Sequence, residues 1–243
     1  MTVKAADIRF EDYGEVCLLE GRFADTSAHS NLASCVLIGL DRPVTLVSSG
    51  RTVTGDAVTI APGIDHTVDF YGGRCLLLFF EGLETANAEM QRHAEAPDLA
   101  RLSDSEASRL IDRVSGCADT INRQNTNLAR GLSDGSKRTA AIAAGIREKP
   151  FERLSQFDGA QISGLERTQF LRTFKNETGM TFRAFKTWQA IKHAIVLSRS
   201  SKTIEAAALD SGFYDAAHFS NTFRKVFGVS PSSPTSGTTE QAR

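Results

Sequence analysis

Arg172 and Lys175 on one short segment, and Arg224 and Lys225 on another, are the residues of this 243-residue chain best suited to chemistry. A guanidinium carries its donors in a rigid fork that fits guanine O6 and N7 or a pair of phosphate oxygens, and an ammonium is a point charge for phosphate. The two segments share one design, because residues 169–179 return 49 positions later as 218–228. Each copy places Phe, Thr-Phe, a base and a closing Gly at the same spacing: Phe170, Phe174, Lys175 and Gly179, then Phe219, Phe223, Arg224 and Gly228. Phenylalanines four apart share one helical face and are buried together, which leaves the bases on the other face. The glycines fall where a helix C-cap is expected. Two short basic helices of one design are what is needed to enter a DNA major groove twice. A duplicated pair of packing helices is the bland alternative.

The elements ahead of each copy must position it. Before the second, Thr203 caps a helix whose Ile204, Ala207 and Ala208 form an inward stripe. Gly212 permits a tight turn, and Asp215 is a good N-cap for a helix over Ala216–Phe227. Small alanines allow the close crossing of a helix-turn-helix. Gly212-Phe213, His218-Phe219-Ser220, Phe223-Arg224, Phe227-Gly228 and Ser230-Pro231 resemble the second helix-turn-helix of the AraC/XylS family. Leu165, Phe170, Arg172, Phe174-Lys175 and Glu177-Thr178-Gly179 are similar to the first. Phe182, Phe185, Ile191 and Ala194 recur like the helix that links the family's two subdomains. The resemblance covers roughly residues 137–231.

The resemblance implies a sequence-specific DNA-binding regulator of transcription, with double-stranded DNA as partner and, for an activator, RNA polymerase as well. Activation is the family's commoner outcome. The helices over 166–177 and 216–227 would then enter successive major-groove segments about 34 Å apart. Thr168, Leu171 and Arg172 on the first, and Ala217, His218 and Asn221 on the second, are the expected base readers. Arg167, Lys175, Arg224 and Lys225 are placed for phosphates, which fix register without carrying sequence information. Asn221 stands where the family commonly has Arg, and an Asn there suits adenine. Ala190 also replaces a frequent Arg, and Pro231-Ser232-Ser233-Pro234 lacks the usual Tyr-Arg ending. Gln156, Gly159, Gln161 and Ser163 sit where aliphatic residues are usual, so the first unit reads as loosely built. Gly159 inside a helix costs about 1 kcal/mol relative to Ala, and Gly159→Ala is expected to stabilise the domain.

Charge divides along the same boundary. Residues 137–229 hold 15 Lys/Arg against 8 Asp/Glu, a net +7, while residues 1–136 hold 12 against 20, a net −8. The C-terminal part thus carries the footprint for a polyphosphate, which the N-terminal half repels. Cys17, Cys35, Cys75 and Cys117 form no C-x-x-C pair, which argues against a zinc ribbon or disulfide framework and suits a reducing cytoplasm. No apolar stretch approaches the roughly 20 residues of a membrane span. The expected localisation is cytoplasmic.

Short apolar runs between turn residues mark the N-terminal half: Val16–Leu19, Cys35–Leu40, Val44–Val47, Ala57–Ile60 and Arg74–Phe80. The order strand, Pro62-Gly63, Asp65-His66, strand, Gly72-Gly73, strand resembles the cupin-like sensor domain of many AraC-type regulators. The expected fold class is α+β, with an N-terminal small antiparallel β-barrel plus helices and a C-terminal all-α domain of two helix-turn-helix units. His29 and His66, with Asp65 or Glu81, are the candidate metal ligands. They fall short of the three or four clustered ligands that a first-row metal wants. With no nucleophile elbow, phosphate loop or acid/base pair either, the expectation is a non-catalytic chain with no metal and no cofactor, and with an effector left open. Ser103-Asp104-Ser105-Glu106 reads as a capping box ahead of a stripe at Ala107, Leu110, Ile111, Val114, Cys117 or Ala118, and Ile121, which the resemblance marks as a homodimer helix. Residues 1–82 are thus expected to form the barrel, 83–136 the dimerisation and linker region, 137–233 the DNA-binding domain and 234–243 a flexible tail. A rival reading makes the barrel a sensor or partner-binding module, with the helical domain serving protein interaction.

Overall fold

The computed structural model of the chain describes residues 8–81, 99–103, 105, 134–200 and 203–231. Nine strands and then six helices follow in order among them. The strands are β1 Arg9–Asp12, β2 Val16–Arg22, β3 Ser34–Gly39, β4 Val44–Ser48, β5 Arg51–Gly55, β6 Ala57–Ile60, β7 Thr67–Asp69, β8 Arg74–Phe80 and β9 Leu99–Leu102. The helices are α1 Asp134–Glu148, α2 Gln156–Ser163, α3 Arg167–Thr178, α4 Phe182–Arg199, α5 Ile204–Asp210 and α6 Ala216–Phe227. The α+β class is as expected. The expected dimer helix over Ala107–Ile121 and the Asn122–Ser133 part of the linker lie outside the described residues.

The strands form two antiparallel sheets, ordered β1-β2-β8-β3-β6-β9 and β5-β4-β7. The barrel therefore takes the form of two sheets that share a core rather than one closed ring. β8, the run Arg-Cys-Leu-Leu-Leu-Phe-Phe, is apolar at nearly every position because it is central and covered on both faces. Cys75, Leu77 and Phe79 join the core shared with Leu46 and Val68 of the second sheet, while Leu76, Leu78 and Phe80 join an apolar cluster of their own with Val36 and Ile38. Ser49 and Gly50, both at positive φ, make the two-residue turn between β4 and β5. That geometry matches the twist of the flanking strands. Cys17, Cys35 and Cys75 are free and buried, packing as small apolar groups.

Four helix ends of the C-terminal part fall on residues that the sequence marks. Thr203 accepts from the Ala206 amide, Asp215 accepts from the His218 amide, and Gly179 and Gly228 end α3 and α6 in the left-handed conformation. α1 begins at Asp134, where a carboxylate in the first turn suits the helix dipole.

The first unit is not loosely built. Ser155 and Asp158 form a capping box on α2, and Gly164 closes it with a left-handed cap. Aromatic rings replace the missing aliphatics: Phe170, Phe174, Phe182 and Phe185 meet edge-on or tilted at centroid separations of 5.2–5.7 Å. Such pairs contribute about 0.5–1.5 kcal/mol each beyond their burial. Gly159 is helical and buried, and a Cβ there would lie 2.4 Å from the Phe170 ring. The expectation that alanine stabilises this position is overturned, because the glycine makes room for a fully buried ring. Gly159→Ala should instead destabilise the protein by roughly 1–3 kcal/mol through overpacking. Urea unfolding of both proteins checks this, and a stabilised variant would contradict it.

Candidate nucleic-acid interface

α3 and α6 are the outer helices of two successive helix pairs, α2–α3 and α5–α6. Burial of Phe170 and Phe174 turns one face of α3 inward, and burial of Phe219, Val226 and Phe227 does the same for α6. Thr168, Arg172 and Lys175 consequently stand exposed on α3, with Ala217, Asn221, Arg224 and Lys225 exposed on α6. Leu171 is half-buried and packs against the core, so only part of its side chain reaches the surface. Arg167 lies over the Phe157 ring at 5.3 Å, which orients its guanidinium while leaving it exposed. His218 is exposed but leans edge-on against Phe213, with its Nδ1 accepting from the Tyr214 amide.

The helix between the pairs, α4, is bound to the sheets. Its Trp188 Nε1 donates to Glu81 Oε1 at 2.7 Å, and its Lys192 Nζ lies 2.7 Å from the same oxygen. Arg147 of α1 reaches Glu81 Oε2 at 3.1 Å and Glu15 at 3.3 Å, while also lying over the Phe185 ring. Lys192 further donates to Asp12 and to the Gly14 carbonyl. Burial penalises the Lys192 ammonium, but the Glu81 and Asp12 carboxylates outweigh that and hold its pKa above the usual lysine value. Glu81, a candidate metal ligand on sequence grounds, is thus the buried centre of an ionic joint between sheet and helices.

The last turn of α6 is also held from the sheet side. Ser27 donates its amide and its hydroxyl to the Gly228 carbonyl, and the Ser30 amide donates to the Lys225 carbonyl. These bonds satisfy carbonyls that the end of a helix leaves open. His29 and His66 come together beside them, with ring centroids 4.1 Å apart. No group of three or more His, Cys, Asp or Glu residues among those described is placed to hold a metal. No helix of the described residues is long and apolar enough to cross a membrane. The joint residues Glu81, Lys192, Trp188, Arg147, Ser27 and Ser30 carry no motif. The one signal was an acidic residue directly after the apolar run of β8.

Residues 160–234 match the protein family described as a helix-turn-helix domain. An uncharacterized HTH-type transcriptional regulator of Haemophilus influenzae is 30% identical over 102 residues, which are 42% of this chain and 34% of that protein. The HTH-type transcriptional regulator MtrA of Neisseria gonorrhoeae is 26% identical over 107 residues, 44% of this chain and 35% of that one. The chain therefore matches about a third of the length of these relatives. Across almost the whole chain the fold is similar to ToxT of Vibrio cholerae, a structure solved with a methylnaphthalenyl butenoic acid bound. The TM-score is 0.53 at 12% identity, covering 93% of this chain and 97% of that one.

Proposed function

We propose that this chain, which carries an AraC-type helix-turn-helix domain in its C-terminal part, is a sequence-specific DNA-binding regulator of transcription controlled through its sheet domain. One observation carries the reading: two helices of repeated design expose Arg172, Lys175, Arg224 and Lys225 while Phe170, Phe174, Phe219 and Phe227 are buried and Phe223 is half-buried. Arg172 reads guanine through its fork, and Thr168 and the free part of Leu171 contact thymine methyls beside it. On α6, Asn221 pairs with adenine, Ala217 packs against a base edge, and His218 donates to one. Arg167, Lys175, Arg224 and Lys225 bind phosphates.

The other partners follow from the same reading. Activation with RNA polymerase is the direction adopted. A homodimer through the Ala107–Ile121 stripe brings two copies to the operator. An apolar acid of the kind seen in ToxT is the ligand class for the sheet domain. The chain acts in the cytoplasm, without catalysis, metal or cofactor.

Arg172→Ala should cost about 1–3 kcal/mol at the cognate site and relax the preference at one base pair. Lys225→Ala should weaken all duplexes alike and shallow the salt dependence by about one unit of slope. Binding isotherms on a mismatch panel at several salt concentrations separate the two. Identical behaviour of the variants across the panel would overturn the division of roles.

A further inference from the structure

We propose that His29 and His66 form a proton-operated latch that holds the loop at residues 26–30 of the sheet domain on the end of α6. His29 Nδ1 is 2.9 Å from the Ser27 carbonyl, and His66 Nδ1 is 2.7 Å from the Ile64 carbonyl. A carbonyl only accepts, so each Nδ1 carries the hydrogen and each Nε2 is a bare lone pair. The rings lie against each other, and His66 Nε2 is buried with no hydrogen-bond partner. The two backbones are paired as well, His29 amide to His66 carbonyl and the reverse. On its other side His29 abuts α6: a Cβ on Gly228 would lie 2.5 Å from His29 Nδ1.

Protonation puts a cation into this packed space. Burial first, and then the neighbouring His66, lower the His29 pKa from the ordinary 6.5 to about 4. Burial also lowers that of His66. Among the charged groups facing the pair, only the Asp65 carboxylate on the same loop favours the charged form. α6 presents backbone at this point, and its Arg224 and Lys225 stand exposed. The carbonyls of its last turn, which would favour a cation, already accept from Ser27 and Ser30. A released loop restores ordinary histidine basicity, so the open form binds more protons. The latch is therefore fully held above about pH 6.5 and weakens as pH falls towards about 4.

That the latch bears on DNA rests on the proposed function, since α6 is one of the two helices that read DNA in that account. The test needs no DNA, so the two readings fail separately. Trp188 is the chain's single tryptophan and sits in the joint against Phe79 and Phe227, next to Gly228. On acidification from pH 7.5, the full chain should show a red shift of Trp188 emission with a midpoint between about pH 6.5 and 4, while far-UV circular dichroism is retained. Proton NMR of the wild-type chain should show the His29 and His66 rings titrating with that same midpoint. His29→Gln combined with His66→Gln should abolish the shift. An unchanged transition in the double variant would assign it to another group and overturn the latch. So would wild-type histidines that titrate near 6.5 without any change in Trp188 emission.

Discussion

Glu81→Ala should destabilise the protein by about 3–5 kcal/mol, the largest single effect expected away from the apolar core. The carboxylate is buried and is approached by Lys192, Arg147 and the Trp188 indole at 2.7–3.1 Å. Removing it leaves the Lys192 ammonium, itself only 2% exposed, with Asp12 as its remaining carboxylate. The cost arises from the orphaned cation and donor rather than from the lost attraction, since burying the pair in the first place consumed much of that attraction in desolvation. Combining Glu81→Leu with Lys192→Met should then recover much of the loss, because neither charge is left alone. Denaturant unfolding of the two single variants and the double variant measures the coupling. Additive losses would show that Glu81 and Lys192 do not act as a pair.

Gly228→Ala should act on the other side of the joint. Gly228 has φ 70°, a conformation that costs an L-residue about 1–2 kcal/mol. A Cβ would also meet the Ser27 carbonyl oxygen at 2.6 Å and the Thr26 Cβ at 2.6 Å, in addition to His29. Overpacking of that kind adds roughly 1–3 kcal/mol. Gly179, the matching cap of α3, has φ 71° and carries the same backbone penalty. Gly228→Ala should therefore destabilise more than Gly179→Ala, and it should expose the Ser27 and Ser30 amides to hydrogen exchange. Equal losses with unchanged exchange would show that the sheet domain does not grip the end of α6.

The contrast between those two glycines marks where sequence reading stops. Both were legible as helix ends, because a repeated Phe-x-x-x-Phe followed by Gly defines a short helix by itself. α6 and β8 run over the residues the pattern indicates, Ala216–Phe227 and Arg74–Phe80. β1, β5 and β9 went unread, being four or five residues long with a single apolar residue in β1 and in β5, whereas β7 falls where the order around Asp65-His66 and Gly72-Gly73 places a strand. Exposure of Arg172 and Asn221 follows from helical periodicity. The grip on α6 does not, because Ser27 and Gly228 lie 201 positions apart, and Asp12 and Lys192 lie 180 apart. Neither pair is written in a local spacing. Gly159 shows the same limit: helix propensity alone favours alanine there, and only the Phe170 ring packed on that glycine reverses the sign.

Selection of bound duplexes from a random-sequence library by the full chain tests the central claim most directly. The predicted outcome is an enriched site in which each copy of the chain covers two conserved segments about 10 base pairs apart, one for α3 and one for α6. Arg172→Ala should relax the preference at a base pair of one segment only, and Asn221→Ala at a base pair of the other. A library that emerges without enrichment at low salt, or an enriched site whose preferences survive both substitutions, would contradict the account.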